Sequence, residues 1–273
     1  GVAQAYINLY NRMPAKEVVI LGSGDIGMIM ARRLTLEGAH VKAVFEIQPY
    51  PSGLPRNIEQ CLNDYGIPLY LSHTVTAIHG DKRLTGVTVS QVDEHMKPIP
   101  GTEKEYDCDT LILSVGLIPE NELSLDAGVT LDGRTKGAEV DEYFQTDRPG
   151  IFAAGNVLHV HDLVDFVSME AERLADAAAE YVDKGCLPEC PVVIRTDCFI
   201  NHTVPQRISG KEDCRLSLRV NRPFKDCRIV VRQDGTEVAF KKMKKAIPAE
   251  MIQIPLKAEK LSGCKELEVS VEW

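Results

Sequence analysis

Apolar residues in the first part of the chain follow two spacings in turn, one typical of strands and one typical of helices. "EVVIL", which begins at Glu17, is a continuous apolar run bounded by glycine, so it predicts a strand buried on both faces. The next apolar stripe repeats every three to four residues and predicts a helix from about Asp25 to Glu37, ended by Gly38. "HVKAVFEI", "RNIEQCLNDYG" and "PLYL" then predict strand, helix and strand. The alternation predicts an α/β sheet.

The helix spacing disappears after the third strand. Short strands are predicted over Val75–His79, Leu84–Val92 and Asp109–Val115, with turns at "HGDK" and "PIPG". The third crossover is therefore predicted to be an antiparallel meander, not a helix.

The last part of the chain is predicted to be all-β. Before it come a short helix in "ENELSLDAG", strands in "GAEVDEYFQT" and "GIFAAGN", and an amphipathic helix over Val164–Val182. After "LPECPVV", apolar and polar residues alternate in "RLSLRV" and "LEVSVEW", and Asp234–Gly235 is a hairpin signal. This tail of roughly 80 residues predicts a sandwich-like domain.

A glycine-rich turn between the first strand and helix supplies the candidate chemistry. In "GSGDIG" the first glycine permits a tight turn, the second lets a pyrophosphate approach the backbone, and the third lets the helix pack on the strand. Glu46 ends the next strand, where its carboxylate would hold a ribose 2′-hydroxyl and repel a 2′-phosphate. The candidate NAD(H) site therefore comprises Gly22, Ser23, Gly24, Asp25, Ile26, Gly27 and Glu46. The simpler alternatives are a solvated carboxylate for Glu46 and a helix-dipole acid for Asp25.

Charge and cysteine content narrow the function classes. The 273 residues carry a formal net charge of −9, which argues against nucleic acid and anionic membrane as partners. No apolar stretch approaches the length of a membrane span, about 18 residues. The eight cysteines include no C-x-x-C pair and no His/Cys cluster with zinc spacing, so we predict no metal, reduced thiols and a cytoplasmic location.

Two further stretches, "DTLILSVGLIPENEL" and "TDRPGIFAAGNV", together with the glycine-rich turn and Glu46, resemble the FAD-dependent pyridine nucleotide-disulfide oxidoreductase family. In that family an NAD domain is inserted within an FAD domain. The resemblance implies that Gly116 lies near the nicotinamide and that Gly155 and Asn156 approach the ribityl and phosphate of FAD. Asn156 stands where the family usually has Asp, so the alternative is that it is only a turn residue.

The resemblance also implies a domain organisation. The family binds the ADP half of FAD with an earlier glycine-rich turn, which this sequence does not show. We therefore expect a C-terminal fragment, with an NAD(H)-binding domain at 1–136, a remnant of the FAD domain at 137–190 and an all-β domain at 191–273. Exposed strand edges in the remnant would favour a homo-oligomer. The fold class is thus a Rossmann-like three-layer domain plus a sandwich-like tail.

The implied function is hydride exchange between NAD(H) and FAD in the full-length protein, with electrons passed to a second acceptor or subunit; the fragment alone would be inactive. No catalytic residue is assigned, because the cofactors carry the chemistry. His159 and His161 either relay protons or simply hydrogen-bond in a loop. Two other functions stay open: a flavin-independent NAD dehydrogenase, and a non-enzymatic interaction module. The β domain could then dock a partner dehydrogenase subunit.

Overall fold

The computed structural model describes residues 1–261, 263 and 265–273. Cys264, one of the eight cysteines, lies outside the described residues. The chain forms two compact units, Gly1–Gly116 and Leu117–Trp273. The three-domain division predicted from the sequence, with boundaries at 136 and 190, remains a prediction.

The first unit combines a parallel sheet, helices and an antiparallel meander. Its elements in chain order are α1 (Val2–Asn8), β1 (Glu17–Leu21), α2 (Asp25–Leu36), β2 (His40–Glu46), α3 (Pro55–Cys61), β3 (Leu69–Leu71), β4 (His73–His79), β5 (Gly86–Gln91), β6 (Lys104–Asp107) and β7 (Thr110–Leu113). The parallel sheet has the order β3-β2-β1-β7, and the meander has the order β4-β5-β6. The predicted α/β fold with a meander crossover is confirmed, and β6 is a strand that the sequence analysis did not predict.

Consecutive residues of β1 point into two different apolar cores. Val18 and Ile20 pack in the core that contains Met28 of α2. Val19 packs instead with Phe45 and with valines of the meander strand β5. Because neighbouring side chains on a strand point to opposite faces, a strand covered on both faces needs an apolar residue at every position. This explains the continuous apolar run and gives the unit its three layers.

The second unit begins with helices and ends in two sheets. Its elements are α4 (Glu122–Asp126), α5 (Val164–Lys184), β8 (Val192–Thr196), β9 (Ile200–Val204), β10 (Arg207–Ile208), β11 (Cys214–Val220), β12 (Phe224–Gln233), β13 (Thr236–Ala246), β14 (Ile252–Leu256) and β15 (Glu266–Glu272). One sheet has the order β10-β8-β15-β12-β13 and the other β14-β11-β9. Apolar side chains from both sheets meet in one core, as a sandwich requires. Asp234 and Gly235, both with positive φ, form the predicted hairpin turn between β12 and β13.

The prediction of strands in "GAEVDEYFQT" and "GIFAAGN" is wrong. These segments contain only isolated bridges, such as Val140 with Thr146. Oδ1 of Asp141 accepts hydrogen bonds from the backbone N–H groups of Tyr143 (2.9 Å) and Gln145 (3.1 Å), which folds the chain into a tight turn where a strand would run straight. The argument for self-association through exposed strand edges therefore has no basis in this segment.

Among the described residues, no helix is both long enough and apolar enough to cross a lipid bilayer.

Candidate functional site

The predicted nucleotide residues of the first unit lie at one edge of the parallel sheet. Gly22 follows β1, Glu46 ends β2, and Gly116 lies shortly after β7. The backbone N–H of Gly22 donates to the carbonyl of Phe45, and the N–H of Ser114 donates to the carbonyl of Leu21, each at 2.7 Å. The carboxyl ends of the three strands thus meet at this edge, where open α/β sheets bind ligands.

The three glycines of the turn serve different purposes. Gly22 has φ +99°, and a Cβ there would lie 2.1 Å from the carbonyl oxygen of Ser114. At Gly27 a Cβ would lie 2.7 Å from the side chain of Ser114, so packing within the unit excludes any side chain at both positions. At Gly24 a Cβ would come no closer than 3.6 Å to any other residue. The fold itself therefore does not require glycine at position 24.

Gly24 is also the N-cap of α2, and no side chain caps this helix end. The first N–H groups of a helix carry partial positive charge and attract phosphate. The small residue at Gly24 thus leaves room for an anion at the N-terminus of α2.

The Glu46 carboxylate is buried and is held by neutral donors. Its side chain accepts hydrogen bonds at Oε2 from the backbone N–H of Ser23 (2.9 Å), the hydroxyl of Ser23 (2.6 Å) and the hydroxyl of Ser52 (2.7 Å), and at Oε1 from the N–H of Gln48 (3.0 Å). Only 3% of Glu46 is exposed. The alternative of a solvated strand-end carboxylate is therefore wrong. Burial, and then the negative charge of Glu46, raise the pKa of the nearby Tyr50.

Residues 48–54, which we call the 48–54 loop, lie directly on the glycine-rich turn. Oδ1 of Asp25 accepts hydrogen bonds from the N–H of Leu54 (2.8 Å) and from Nδ2 of Asn57 (2.6 Å). A Cβ on Gly53 would lie 2.7 Å from the same Asp25 oxygen. Asp25 therefore anchors the loop in addition to its place in the first turn of α2. The sequence did not predict three residues of this contact: Ser52, Gly53 and Asn57. The one sequence signal for the contact was the glycine in "PSGLP".

The two remaining predicted residues of the turn differ sharply in exposure. Ser23 is fully buried beneath the 48–54 loop and is bonded to Glu46, whereas 57% of Ile26 is exposed at the start of α2.

In the second unit, Gly155 and Asn156 begin a short 3₁₀ turn over Gly155–Val157. Gly155 has φ +72°, and its N–H donates to Oε1 of Glu170 on α5 at 2.7 Å. Oδ1 of Asn156 accepts the N–H of His161 at 3.1 Å. Both residues thus have structural roles within the turn, and their predicted contact with flavin remains a prediction.

A buried cluster of His159, His161 and Glu170 lies beside this turn. Nε2 of His159 and Nε2 of His161 lie 2.8 and 3.2 Å from the same oxygen, Oε2 of Glu170. Burial opposes ionisation of Glu170, but hydrogen bonds from the two histidines and from Gly155 outweigh it and lower its pKa to about 2. Burial also lowers the pKa of His159. The cluster therefore pairs an ionised carboxylate with a neutral imidazole.

The seven described cysteines are all free thiols. Cys186 and Cys198 are exposed. Burial raises the pKa of Cys190 and of Cys214 to about 12. The thiols of Cys190 and Cys214 are therefore protonated at neutral pH and are poor nucleophiles.

Comparison with known proteins assigns this chain to a family. Residues 2–180 match the family model "Pyridine nucleotide-disulphide oxidoreductase". The chain is similar to the glutamate synthase [NADPH] small chain of Halomonas elongata (26% identity over 189 residues, 64% of this chain and 40% of the relative). It is also similar to an NADH oxidase of Methanocaldococcus jannaschii (31% over 163 residues, 57% of this chain and 32% of the relative). The chain thus spans less than half the length of these relatives.

Solved structures agree with the fold. Thioredoxin reductase from T. acidophilum is 29% identical, with a TM-score of 0.53 over 61% of this chain and 53% of that one. A ferredoxin reductase from Rhodopseudomonas palustris matches 91% of this chain and 58% of its own, with a TM-score of 0.52 and 21% identity. The second likeness concerns the fold alone.

Proposed function

Since this chain belongs to the pyridine nucleotide-disulphide oxidoreductase family, we propose that its first unit binds NAD(H) and that the full-length protein is an FAD- and NAD(H)-dependent oxidoreductase. The family consists of enzymes that use FAD and NAD(P)H. Hydride exchange is assigned to the full-length protein, because the chain spans less than half the length of its curated relatives.

The observation that carries the proposal is the pairing of Gly24 with Glu46 at one sheet edge. Gly24 leaves space at an uncapped helix N-terminus for the pyrophosphate. Glu46 offers a carboxylate at the end of the neighbouring strand for the adenosine ribose. These are the two contacts that a dinucleotide needs from this fold, so the residues fit the cofactor.

Glu46 favours NAD(H) over NADP(H). Its hydrogen-bond partners are Ser23, Ser52 and Gln48, all of them neutral. A 2′-phosphate placed here would meet a buried carboxylate with no cation among those partners. The name of the Halomonas relative specifies NADPH, whereas the carboxylate of Glu46 predicts a preference for NAD(H) in this chain.

Binding of the ribose would displace one internal hydrogen bond. Oε2 of Glu46 already accepts three donors, among them the hydroxyl of Ser52. A ribose hydroxyl that reaches Oε2 would therefore replace Ser52, and the 48–54 loop would have to shift.

The residues of the second unit fit FAD only in part. The N–H of Gly155 donates to Glu170 on α5, and Oδ1 of Asn156 accepts the N–H of His161. Asn156 is exposed, so its amide Nδ2 is left to donate to a ligand. When bound in the full-length protein, FAD would supply the hydride-accepting chemistry, and Asn156 is the residue of this turn that would contact it.

The partner and the cellular location of the protein can also be proposed. Relatives include a glutamate synthase small chain and a subunit of hydrogen cyanide synthase, which supports electron transfer to a partner subunit. On the β tail, Arg222 lies over the rings of Phe199, Phe224 and Trp273, and aromatic and arginine side chains of this kind are enriched at interfaces. The free thiols of the described cysteines support the predicted cytoplasmic location.

A fluorescence titration of the chain with NADH, NADPH and FAD in parallel tests the proposal. We expect saturable NADH binding, weaker NADPH binding and no retention of FAD. The matched variant is Gly24→Ala, whose Cβ causes no clash but fills the phosphate space. NADH affinity should fall at least about tenfold, with a loss of stability of no more than about 1 kcal/mol from the poorer helix N-cap. Failure of the wild-type chain to bind NADH would mean that the glycine-rich turn is only a scaffold.

A further inference from the structure

The second unit brings together metal-ligand side chains that the sequence separates. His159 and His161 lie two residues apart after the Gly155 turn, and Glu170 faces them from α5. One nitrogen or oxygen of each residue lies within 4.8 Å of those of the other two. No metal was expected from the sequence, because the cysteines and histidines of the chain show no zinc spacing. That expectation did not consider a glutamate on the following helix as a ligand.

We propose that His159, His161 and Glu170 form a binding site for one divalent transition-metal ion of the zinc type. This site goes beyond the proposed nucleotide binding and does not depend on it. Three arguments from the structure support it.

The first argument is the set of donors and its burial. The side chains of His159, His161 and Glu170 are 1%, 4% and 8% exposed. Two imidazoles and one carboxylate form a known three-ligand set for zinc, and such a set leaves a fourth position open. Imidazole nitrogens disfavour Mg²⁺ and Ca²⁺, which take oxygen ligands.

The second argument is geometric. Ligand atoms around a tetrahedral zinc ion, with bonds of about 2.0–2.2 Å, are roughly 3.3 Å apart. Oε2 of Glu170 lies 2.8 Å from Nε2 of His159 and 3.2 Å from Nε2 of His161. Both distances lie within about 0.5 Å of the spacing that a tetrahedral ion requires.

The third argument is that hydrogen bonding leaves too many buried nitrogens unused. Nδ1 of His159 and Nδ1 of His161 are buried without a hydrogen-bond partner in the described part of the chain. His202 on β9 is 8% exposed, and neither of its ring nitrogens has a partner there. Its ring lies perpendicular to that of His159, with centroids 5.9 Å apart. Buried polar atoms without partners are uncommon and costly, so hydrogen bonds within the chain do not fully satisfy this group of histidines. The atoms that would hold the ion are the two Nε2 atoms that face Glu170, not these four nitrogens.

The charge balance agrees with a bound cation. Among the described residues, no lysine or arginine lies within ion-pair distance of Glu170, whose close partners are the two histidines. The nearby cation Arg219 is paired with Asp162 and also donates to the carbonyl of Val160. Arg173, which lies over the ring of Phe144, interacts with Glu170 only at longer range. A divalent ion would therefore bind a buried carboxylate that no lysine or arginine pairs directly.

Titration of the chelator-treated full chain with Co²⁺ tests this site, because cobalt substitutes for zinc and absorbs visible light when four- or five-coordinate. We expect one Co²⁺ per chain and displacement of the absorption by Zn²⁺. His161→Ala should weaken Co²⁺ binding at least about tenfold, and so should Glu170→Gln, which keeps an acceptor for the N–H of Gly155. The control is His95→Ala, at an exposed loop histidine, and it should leave the affinity unchanged.

Exposed thiols are the competing ligands in this experiment. Cys186→Ser/Cys198→Ser should retain the Co²⁺ signal, whereas its loss in that variant would place the ion on the thiols and overturn the proposal. The proposal is also overturned if the wild-type chain shows no one-to-one binding, or if His161→Ala and Glu170→Gln bind as the wild type does. In either of these cases the cluster is only a hydrogen-bonded brace for the turn. Since no nucleotide is added, failure here leaves the NAD(H) proposal untouched.

Discussion

Removal of the Ser52 hydroxyl is expected to strengthen NADH binding, although Ser52 lies in the candidate site. Its hydroxyl donates to Oε2 of Glu46 at 2.7 Å, whereas its backbone N–H separately donates to the hydroxyl of Ser23 at 2.9 Å. Ser52→Ala therefore removes only the first hydrogen bond and keeps the attachment of the 48–54 loop. A ribose hydroxyl would then reach Oε2 without having to displace an internal donor.

The magnitude follows from the type of hydrogen bond. A hydrogen bond to a charged group contributes about 1.5–3 kcal/mol, and part of that is recovered by water in the free protein. We therefore expect a gain of about 1–2 kcal/mol, which corresponds to NADH binding roughly 5- to 30-fold tighter.

Isothermal titration calorimetry of NADH into the wild type and Ser52→Ala measures this gain. Ser90→Ala is the matched control, since Ser90 also loses a buried hydroxyl but contacts Thr76 on the meander. Equal or weaker NADH binding by Ser52→Ala would refute the reasoning, because it would show that Ser52 supports Glu46 in the bound state and does not compete with the ribose.

Three further predictions concern the fold. Gly27→Ala should lower stability by about 1–3 kcal/mol, seen as a lower Tm, because its Cβ would lie 2.7 Å from Ser114. Asp141→Asn should raise the free energy of unfolding at pH 7 by on the order of 1–2 kcal/mol in urea titrations. Burial raises the pKa of Asp141 from 3.8 to about 6, so between those pH values the folded wild type holds a proton that the unfolded chain has released. Its stability therefore falls as pH rises through this window, and at pH 7 the full cost of ionising the buried carboxyl is present. A thiol reagent at neutral pH should label Cys186 and Cys198 rapidly, as peptide mass spectrometry can show.

Each of these predictions has an internal control. Gly133→Ala should leave the Tm unchanged, since no atom lies within 4 Å of its Cβ position. Asp141→Asn should show no stability gain below about pH 3, where Asp141 is protonated in both states of the wild type. Cys190 and Cys214 should stay unlabelled in the native protein, and rapid labelling of either would contradict their burial.

Local sequence pattern predicted which residues of the first unit meet at the sheet edge, because they are close in the chain. Gly22, Gly24 and Gly27 lie in one turn, and Glu46 ends the next strand, so their meeting follows from parallel strand order alone. The buried strand, the meander and the tail hairpin also follow from short-range patterns.

Long-range contacts explain what the sequence did not reveal. Ser52 reaches Glu46 because hydrogen bonds to Asp25 and Ser23 hold the 48–54 loop on the turn, and no periodicity encodes those contacts. Glu170 lies on α5 and contacts His159 in the turn that precedes this helix. The ring of His202, on β9 of the β tail, packs against that of His159. The strands predicted before α5 failed because Asp141 bonds to its own neighbouring backbone, a competition that apolar patterning does not register.

We propose above all that Glu46 selects NAD(H) at the glycine-rich turn. The most direct test compares the Kd of NADH with the Kd of NADPH for the wild type and for Glu46→Gln, which keeps the shape of the side chain but removes its charge. We predict that the wild type prefers NADH by at least about tenfold, or 1.4 kcal/mol, and that Glu46→Gln brings the two Kd values close together. The same NADH preference in both proteins would contradict the claim.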